Sequence, residues 1–442
     1  MKKTLISLAV ASAITTSLFA DAETDALKAQ LKAMTERLDA METKQESLVE
    51  ETANLQTGFN FNVLDNDFSH NGMGVAASKV YNSKSPLSIG GYGEMYYANK
   101  RNAGDDNIAD VYRFVPYIGY RFTDNIILNT EIEFEHGGAK PGSTDAANGG
   151  DYGYAVIEFM YLDFLLNDAF NIQAGLVLAP MGLINLRHEP TLFNTVQRPL
   201  TEKYLLPSTW STNGVIAYGN IGDNFTYNAG IMQALNFDNA SAGGQSQIRS
   251  SRMGGGKSNY NNLAGVARLD YIGTPGLLVG ASGYYGSASQ GSVSGATALM
   301  YDVHVTYENS GFKMKALYTA TKISDADKIA AGLVAGGTSI DKANGYYVNA
   351  EYDVLNMINS EYKLPVFVQY DYINPTDSVV DITNASVGVD VNAEIATTTV
   401  GVNFFPHPQV VLKADYAMAK YQNSGTTKKD QDILSVSLGF IF

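Results

Sequence analysis

Residues 126–135, IILNTEIEFE, alternate between two kinds of side chain. One set of alternate positions is mainly apolar and the other is acidic: Leu128, Thr130, Ile132 and Phe134 against Glu131, Glu133 and Glu135. Successive side chains of a β-strand point to opposite faces, so this stretch predicts a strand with one apolar and one acidic face. Such a strand needs an apolar medium on one side and water on the other.

The period of two continues from Leu87 to the end of the chain. We predict strands at 87–98, 109–122, 126–136, 153–165, 170–178, 213–221, 224–233, 262–273, 277–286, 297–308, 312–320, 345–354, 364–373, 394–405, 409–419 and 431–442. The total is even, as in single-chain bacterial barrels. Short turns, such as 123–125 and 309–311, alternate with longer loops, such as 179–212 and 234–261. This asymmetry is typical of barrels in the Gram-negative outer membrane.

Both ends of the chain favour the same location. Residues 1–20 combine Lys2 and Lys3 with a short apolar core, which predicts a cleavable secretory signal peptide. No later stretch is apolar enough for a spanning helix, so a membrane location requires a closed barrel. We therefore predict a 16-stranded antiparallel transmembrane β-barrel over residues 86–442. Its last strand, 431–442, resembles the C-terminal strands by which outer-membrane barrels are recognised for assembly.

Residues 21–56 have a helical period instead. Apolar and two polar side chains recur at a spacing of three and four: Leu27, Leu31, Met34, Leu38, Met41, Gln45, Leu48, Thr52 and Leu55. This seam predicts a periplasmic coiled-coil helix that associates with copies of itself, and that reaches toward the cell wall. The alternative is an amphipathic helix that packs on the barrel or crosses the periplasm alone. Residues 57–85, rich in Asn, Ser and Gly, are expected to be a linker.

The composition excludes several classes of function. With 45 acidic and 30 basic residues, the chain has a formal net charge of −15, which argues against a nucleic-acid partner. The absence of cysteine excludes disulfides and thiolate metal sites. The five His residues are scattered, and the Gly-rich stretches 254–258 and 280–286 lack the context of a nucleotide-binding loop. We therefore expect no enzyme, no metal site and no cofactor.

Charged residues of the strands are expected to line a water-filled lumen, because charges on the lipid face are costly. The basic candidates are Arg113, Arg121, Arg268, Lys313, Lys315 and Lys413. The acidic candidates, with one histidine, are Glu131, Glu133, Glu135, Asp302, His304, Glu308, Glu351, Asp353, Asp371 and Asp415. The predicted lumen is mixed in charge and leans acidic.

The long connection 179–212 contains apolar, Pro and charged residues in place of the Gly and Ser of an open loop. We predict that it folds inward and narrows the pore. Its candidate constriction charges are Arg187, Glu189, Arg198, Glu202 and Lys203. In the alternative interpretation, Arg187 pairs with Glu189 and Glu202 pairs with Lys203 only to hold the loop in place or to pack between subunits.

This loop, the strand count and the helical N-terminal segment resemble the phosphate-selective porin O/P family, over most of residues 87–442. The resemblance implies a homotrimeric sixteen-stranded channel in which inward Arg and Lys residues select anions. We expect a porin that lets small polar or ionic solutes diffuse across the outer membrane. The rivals are a phosphate-selective channel and a structural tether between outer membrane and cell wall through residues 21–56.

Overall fold

The computed structural model of the protein describes residues 21–59, 64–101, 107–138, 144–145, 150–151, 153–239, 245–332, 337–358, 360–382, 394–422 and 430–442. The predicted signal peptide, residues 1–20, lies outside the described residues. The chain forms two compact units, Met1–Phe61 and Asn62–Phe442.

Helix α1 of the first unit spans Asp21–Phe59, which confirms the predicted N-terminal helix. Its apolar stripe is exposed at Leu27, Leu31, Met34, Leu38, Met41 and Leu48. The association of this stripe with other copies stays a prediction. Among the residues that the structure describes, no helix has both the length and the apolar character needed to cross a membrane.

The second unit is a closed antiparallel barrel of sixteen strands, as predicted. The strands are β1 Leu87–Arg101, β2 Asn107–Thr123, β3 Ile126–Glu135, β4 Ala155–Asn167, β5 Phe170–Leu178, β6 Ser211–Ile221, β7 Phe225–Gln233, β8 Leu263–Thr274, β9 Leu277–Ser287, β10 Thr297–Asn309, β11 Phe312–Ser324, β12 Thr338–Asp353, β13 Pro365–Asp381, β14 Glu394–His407, β15 Val410–Gln422 and β16 Gln431–Ile441. Each strand pairs with its neighbours in sequence, and β1 also pairs with β16. Closure leaves no unpaired sheet edge, which a membrane requires.

The barrel is apolar outside and polar inside, the reverse of a water-soluble protein. In β3, Phe134 is 37% exposed whereas Glu131 is fully buried. In β10, Val303 is 50% exposed whereas Asp302 is fully buried. Exposed apolar side chains of the other strands extend this belt around the barrel. Because hydrocarbon stabilises such a belt and water does not, the strands cross a membrane.

Two strands exceed their predicted ranges by six residues or more. β12 begins at Thr338 and β13 continues to Asp381, so the two form an extended hairpin beyond the predicted ends. The predicted boundary was wrong because Pro375 indicates a strand end. The pairing with β12 is instead interrupted between Asn374 and Ser378 and then resumes. Proline is tolerated in such a bulge because no backbone hydrogen bond to the neighbouring strand is formed there, so the N–H that proline lacks is not needed.

A short helix, α2 (Val75–Asn82), packs against the inner face of β1, β2 and β3. Asn129 Nδ2 on β3 donates a hydrogen bond of 2.9 Å to a carbonyl of α2. Gly119 on β2 lets the helix approach closely, since an added Cβ would lie 2.5 Å from the side chain of Val80. The linker prediction for residues 57–85 is therefore wrong over this helix, whose small apolar residues are buried against the wall.

Candidate pore constriction

The connection between β5 and β6, residues 179–210, lies inside the barrel. Gly182 contacts β8 and β10, His188 contacts β3, and Val196 contacts β15. Thr201 begins a π-helical turn, Thr201–Leu205, and contacts β13. Because these strands are far apart in the order of the barrel, the segment crosses the lumen. We call it the inner loop.

Acidic residues of the wall accept hydrogen bonds from backbone amides of the inner loop. Such bonds join Gly182 N to Asp302 at 3.1 Å, Val196 N to Asp415 at 2.6 Å and Thr201 N to Asp371 at 3.2 Å. These carboxylates therefore replace the partners that a buried loop backbone lacks. All three are buried beneath the loop.

Basic residues of the wall donate in turn to carbonyls of the inner loop. Such bonds join Lys315 Nζ to Leu192 O at 2.7 Å, Lys413 Nζ to Phe193 O at 2.8 Å and to Thr195 O at 3.1 Å, and Arg268 Nη1 to Gly182 O. Wall charges of both signs therefore hold the loop backbone across the lumen.

A second set of bonds stabilises the loop itself. Glu202 accepts from the backbone N–H of Leu183 at 2.8 Å and of Ile184 at 2.6 Å, and Tyr347 Oη on β12 donates to its other oxygen at 2.6 Å. Burial raises the pKa of Glu202 to about 7. Asn185 bonds to the backbone at both ends of the loop, next to β5 and β6. Glu202 and Asn185 thus fix the shape of the segment.

Three of the predicted constriction charges are buried. Glu189 accepts from the backbone N–H of Ala77 on α2 at 3.0 Å, and Arg198 donates to Ser208 Oγ at 3.2 Å. Together with Glu202, these residues are covered by protein. Their contacts support a role in holding the loop, rather than contact with permeating solutes.

The other two, Arg187 and Lys203, are reachable by solvent. Arg187 is exposed and Lys203 is half-buried. Within the described residues, neither Arg187 with Glu189 nor Glu202 with Lys203 forms an ion pair. The alternative interpretation, in which these pairs hold the loop, therefore has no support from the described contacts.

Lys203 lies in a basic cluster with Arg249 and Arg252, which belong to the loop between β7 and β8. Arg249 Nη1 donates to Lys203 O at 3.1 Å, and Arg252 Nη1 donates to Thr209 O at 2.8 Å. None of the three forms an ion pair with a carboxylate of the described residues. Burial, and then the positive charges of Arg249 and Arg198, lower the pKa of Lys203 to about 8.

Sequence reasoning missed Arg249 and Arg252. The only available signal was two arginines three positions apart in a long loop, and such residues are usually solvated. Their role depends on the short helix α3, Gln247–Ser250, which packs against the π-helical turn of the inner loop. No local pattern predicts that contact.

The remaining predicted lumen residues lie on the inner face, and many have partners there. Ion pairs join Arg113 to Glu94 at 3.6 Å and to Glu133 at 3.9 Å, Lys313 to Glu308 at 3.0 Å, and His304 to Asp302 at 2.6 Å and to Asp270 at 3.0 Å. Hydrogen bonds join Arg121 to Val80 O and Tyr81 O, Asn194 to Glu351, and Leu364 N to Asp353. Glu135 is half-exposed at the end of β3.

One group of side chains has no counterpart in the sequence analysis. Glu131, Glu158 and His188 are buried together, and their ligand atoms lie within 4.8 Å of one another. They are distant in sequence and come from β3, β4 and the inner loop. Their positions therefore show no metal-ligand spacing along the chain.

A closed sixteen-stranded barrel with an apolar outer belt, and with a loop folded into a polar lumen, defines an outer-membrane porin. The protein is thus a channel that crosses the Gram-negative outer membrane many times.

Comparison with known proteins places the chain within this class. A family model described as phosphate-selective porin O and P matches residues 91–442, and the chain belongs to that family. An uncharacterized protein of Aquifex aeolicus (strain VF5) is 31% identical over 379 residues, which cover 84% of this chain and 83% of that protein.

Two solved porins share the fold. OmpF of Salmonella typhi, in complex with daunomycin, has a TM-score of 0.54 and 12% identity, over 80% of this chain and 97% of that chain. The anion-selective porin of Comamonas acidovorans has a TM-score of 0.50 and 12% identity, over 80% of this chain and 99% of that chain. At this identity the likeness concerns the fold alone.

Proposed function

We propose that this porin lets small polar and ionic solutes diffuse across the outer membrane with a preference for anions. The observation that carries the preference is the basic cluster of Lys203, Arg249 and Arg252. These cations form no ion pair with a carboxylate of the described residues and are partly exposed, which would let an anion approach them, although both arginines also donate to carbonyls of the inner loop.

Burial explains why the acidic wall does not determine selectivity in this proposal. Asp302, Asp371 and Asp415 are at most 5% exposed and lie beneath the inner loop. The guanidinium of Arg187 and the basic cluster are, by contrast, exposed or half-buried. Charges that face water interact with permeating ions at short distance, whereas covered charges act across the loop at a longer distance, which weakens the interaction. The accessible charge of the inner loop and the basic cluster is therefore positive, whereas Glu135, Glu308, Glu351 and Asp353 are partly accessible acidic residues elsewhere on the inner face.

Reversal potential across a planar bilayer under a salt gradient tests this preference. Wild-type protein is expected to be anion-selective, and Arg249→Gln with Arg252→Gln should lower the anion-to-cation permeability ratio about fivefold, the effect of ~1 kcal/mol from nearby charges in water. The matched control, Lys322→Gln with Lys328→Gln, also removes two positive charges. Those lysines already pair with Asp341 and Asp325, so the control should change the ratio little. A cation-selective wild type would overturn the proposal.

A phosphate-selective channel is the narrower candidate, and the description of the matched family favours it. Block of the chloride current by micromolar phosphate would support that candidate. Passage of chloride and phosphate without block would support the broader channel. In either case, the proposal assigns no catalytic step to the chain.

We further propose a homotrimer joined through helix α1. The exposed apolar stripe from Leu27 to Leu48 supports this assembly, because a seam of this spacing is buried when helices supercoil. A second candidate function, a tether between outer membrane and cell wall, rests on the same helix, residues 21–56.

A further inference from the structure

The buried group formed by Glu131, Glu158 and His188 lies where the inner loop meets the wall. Glu131 is fully buried, His188 is 3% exposed, and Glu158 is 4% exposed. Each contributes one atom able to bind a metal, and the three atoms lie within 4.8 Å of one another. The group is thus compact and closed to bulk solvent.

A β-bulge turns Glu158 into this group. Glu131 on β3 pairs with Phe159 on β4, and the next residue, Ile132, pairs with Ile157. Glu158 is therefore the extra residue, and it lies on the inner face together with Phe159. In a regular strand its carboxylate would point to the lipid. Bulges often redirect a side chain at a functional site.

His188 presents a ring nitrogen to the two carboxylates. Its Nδ1 lies 2.8 Å from Asn185 O, so Nδ1 carries the proton and donates to that carbonyl. Its Nε2 lies 3.0 Å from Glu131 Oε1 and 3.9 Å from Glu158 Oε2. With Nδ1 donating to that carbonyl, the neutral ring presents the lone pair of Nε2 to the carboxylate oxygens. A lone pair facing carboxylate oxygens needs a cation or a proton between them.

The carboxylates of the group lie in a crowded set of buried charges. Those of Glu94, Glu131, Glu133 and Glu158 are each at most 4% exposed, and Arg113, Arg198 and Lys413 are among the cations nearby. Neither oxygen of Glu158, nor Oε2 of Glu131, accepts a hydrogen bond from the described residues. These buried oxygens therefore lack the partners that a carboxylate needs away from water, and a bound cation would supply one.

We propose that Glu131, Glu158 and His188 bind a divalent transition metal ion, with Zn²⁺ as the best fit. One imidazole and two carboxylates are ligands that zinc accepts. Zinc bonds of about 2.0–2.2 Å in tetrahedral geometry place ligand atoms about 3.4 Å apart. The distances of 3.0 and 3.9 Å from Nε2 lie on either side of that value. The bond from His188 Nδ1 to a backbone carbonyl is the usual support for a metal-binding histidine.

Such an ion would join three separate parts of the chain: β3, β4 and the inner loop. It would fix the loop at the side of the lumen opposite its contact with Lys315 on β11, which is eight strands from β3. Metal binding by this group is tested without reference to ion selectivity, so the two proposals can fail separately.

The test measures zinc in full-length protein purified in detergent, stripped with a chelator, reloaded with Zn²⁺ and freed of excess metal by gel filtration. Wild-type protein is expected to retain one zinc per chain by mass spectrometry of the metal. Glu158→Gln and His188→Gln should each weaken binding by more than about 100-fold, beyond the roughly 10–100-fold typical of an outer-shell change. Co²⁺ in place of Zn²⁺ should give a visible absorption band in wild-type protein and not in these two variants.

His136→Gln is the matched control. His136 pairs with Asp110 at 2.7 Å and is partly exposed, so it is the natural site for adventitious surface zinc. This variant should keep one zinc per chain. Heat-modifiable migration on a gel verifies that each variant contains a folded barrel. Two results would overturn the proposal: wild-type protein that does not retain one zinc per chain, or zinc that is lost in His136→Gln and kept in Glu158→Gln. A proton shared between the carboxylates would then explain the buried group.

Discussion

At the scale of single residues, burial separates the charges that build the lumen from those that meet solutes. Glu189, Arg198 and Glu202 resemble Lys203 in sequence context, but their polar atoms bond to protein. Lys203 differs because its ammonium group has positive neighbours and only partial cover. A side chain proposed to act in permeation is therefore one whose positive charge is weakened by its surroundings.

The lowered pKa of Lys203 leads us to expect that ion selectivity depends on pH. Its pKa is lowered to about 8, so the side chain is positive at neutral pH and loses its charge as the pH rises through that value. Anion preference in wild-type channels should fall between about pH 6 and about pH 10, as the lysine becomes neutral. Reversal potentials at each pH measure the change.

Lys203→Arg provides the control for this titration, because an arginine remains charged over the whole range. The variant should keep more of its selectivity than the wild type over this range, while Arg252, whose pKa burial lowers to about 9, contributes equally to both proteins. Equal pH profiles for the two proteins would show that other groups cause the change.

At the scale of elements, the inner loop depends on partners from the wall. Tyr347 is 1% exposed and donates to Glu202, which in turn binds the amides of Leu183 and Ile184. This chain of bonds connects β12 to the start of the loop. A hydrogen bond to a charged group contributes about 1.5–3 kcal/mol. The loss of one wall hydroxyl should therefore loosen a segment of the loop without opening the barrel.

Tyr347→Phe tests this connection. Amide hydrogen exchange in the peptide that contains Leu183 and Ile184 should become about tenfold faster, which corresponds to about 1.4 kcal/mol. Tyr346→Phe is the control, because Tyr346 is 38% exposed on the opposite face. Unchanged exchange in Tyr347→Phe would show that Glu202 holds the loop without the hydroxyl.

At the scale of the whole molecule, the barrel and helix α1 are separate compact units. The strands close on themselves through the pairing of β1 with β16, and this closure does not involve α1. Conduction and tethering are therefore functions that a deletion can separate.

Removal of residues 21–56 should leave single-channel conductance and ion selectivity unchanged, because the inner loop and its wall contacts all lie within the barrel unit. The fraction of trimer in detergent should fall, since the apolar stripe is lost. Planar-bilayer recording and analytical ultracentrifugation measure the two effects. A variant that conducts normally but no longer sediments with cell wall would support the tether as an additional role, and loss of conductance would contradict the separation of functions.

Helix α1 and the sixteen strands follow from the sequence because periodicity is local. A period of two indicates a strand with one apolar and one water-facing side, as in β3. A helical period indicates a helix with an apolar stripe, as in α1. The inner-face positions of Arg113, Asp302 and Lys413 follow from the same alternation. The end of β13 did not follow, because Pro375 is compatible with a strand only where that strand forms a bulge.

The contents of the lumen depend on tertiary structure alone. Helix α2 packs inside the wall because Gly119 and Asn129, far along the chain, make room and supply a hydrogen bond. Arg249 and Arg252 join Lys203 only when two loops meet, and Glu158 faces inward only because β4 carries a bulge opposite β3. The sequence by itself thus determined the barrel, since lipid and water act on each strand separately. Only the folded chain decided which charges are covered, paired or reachable, because those properties depend on contacts between distant residues.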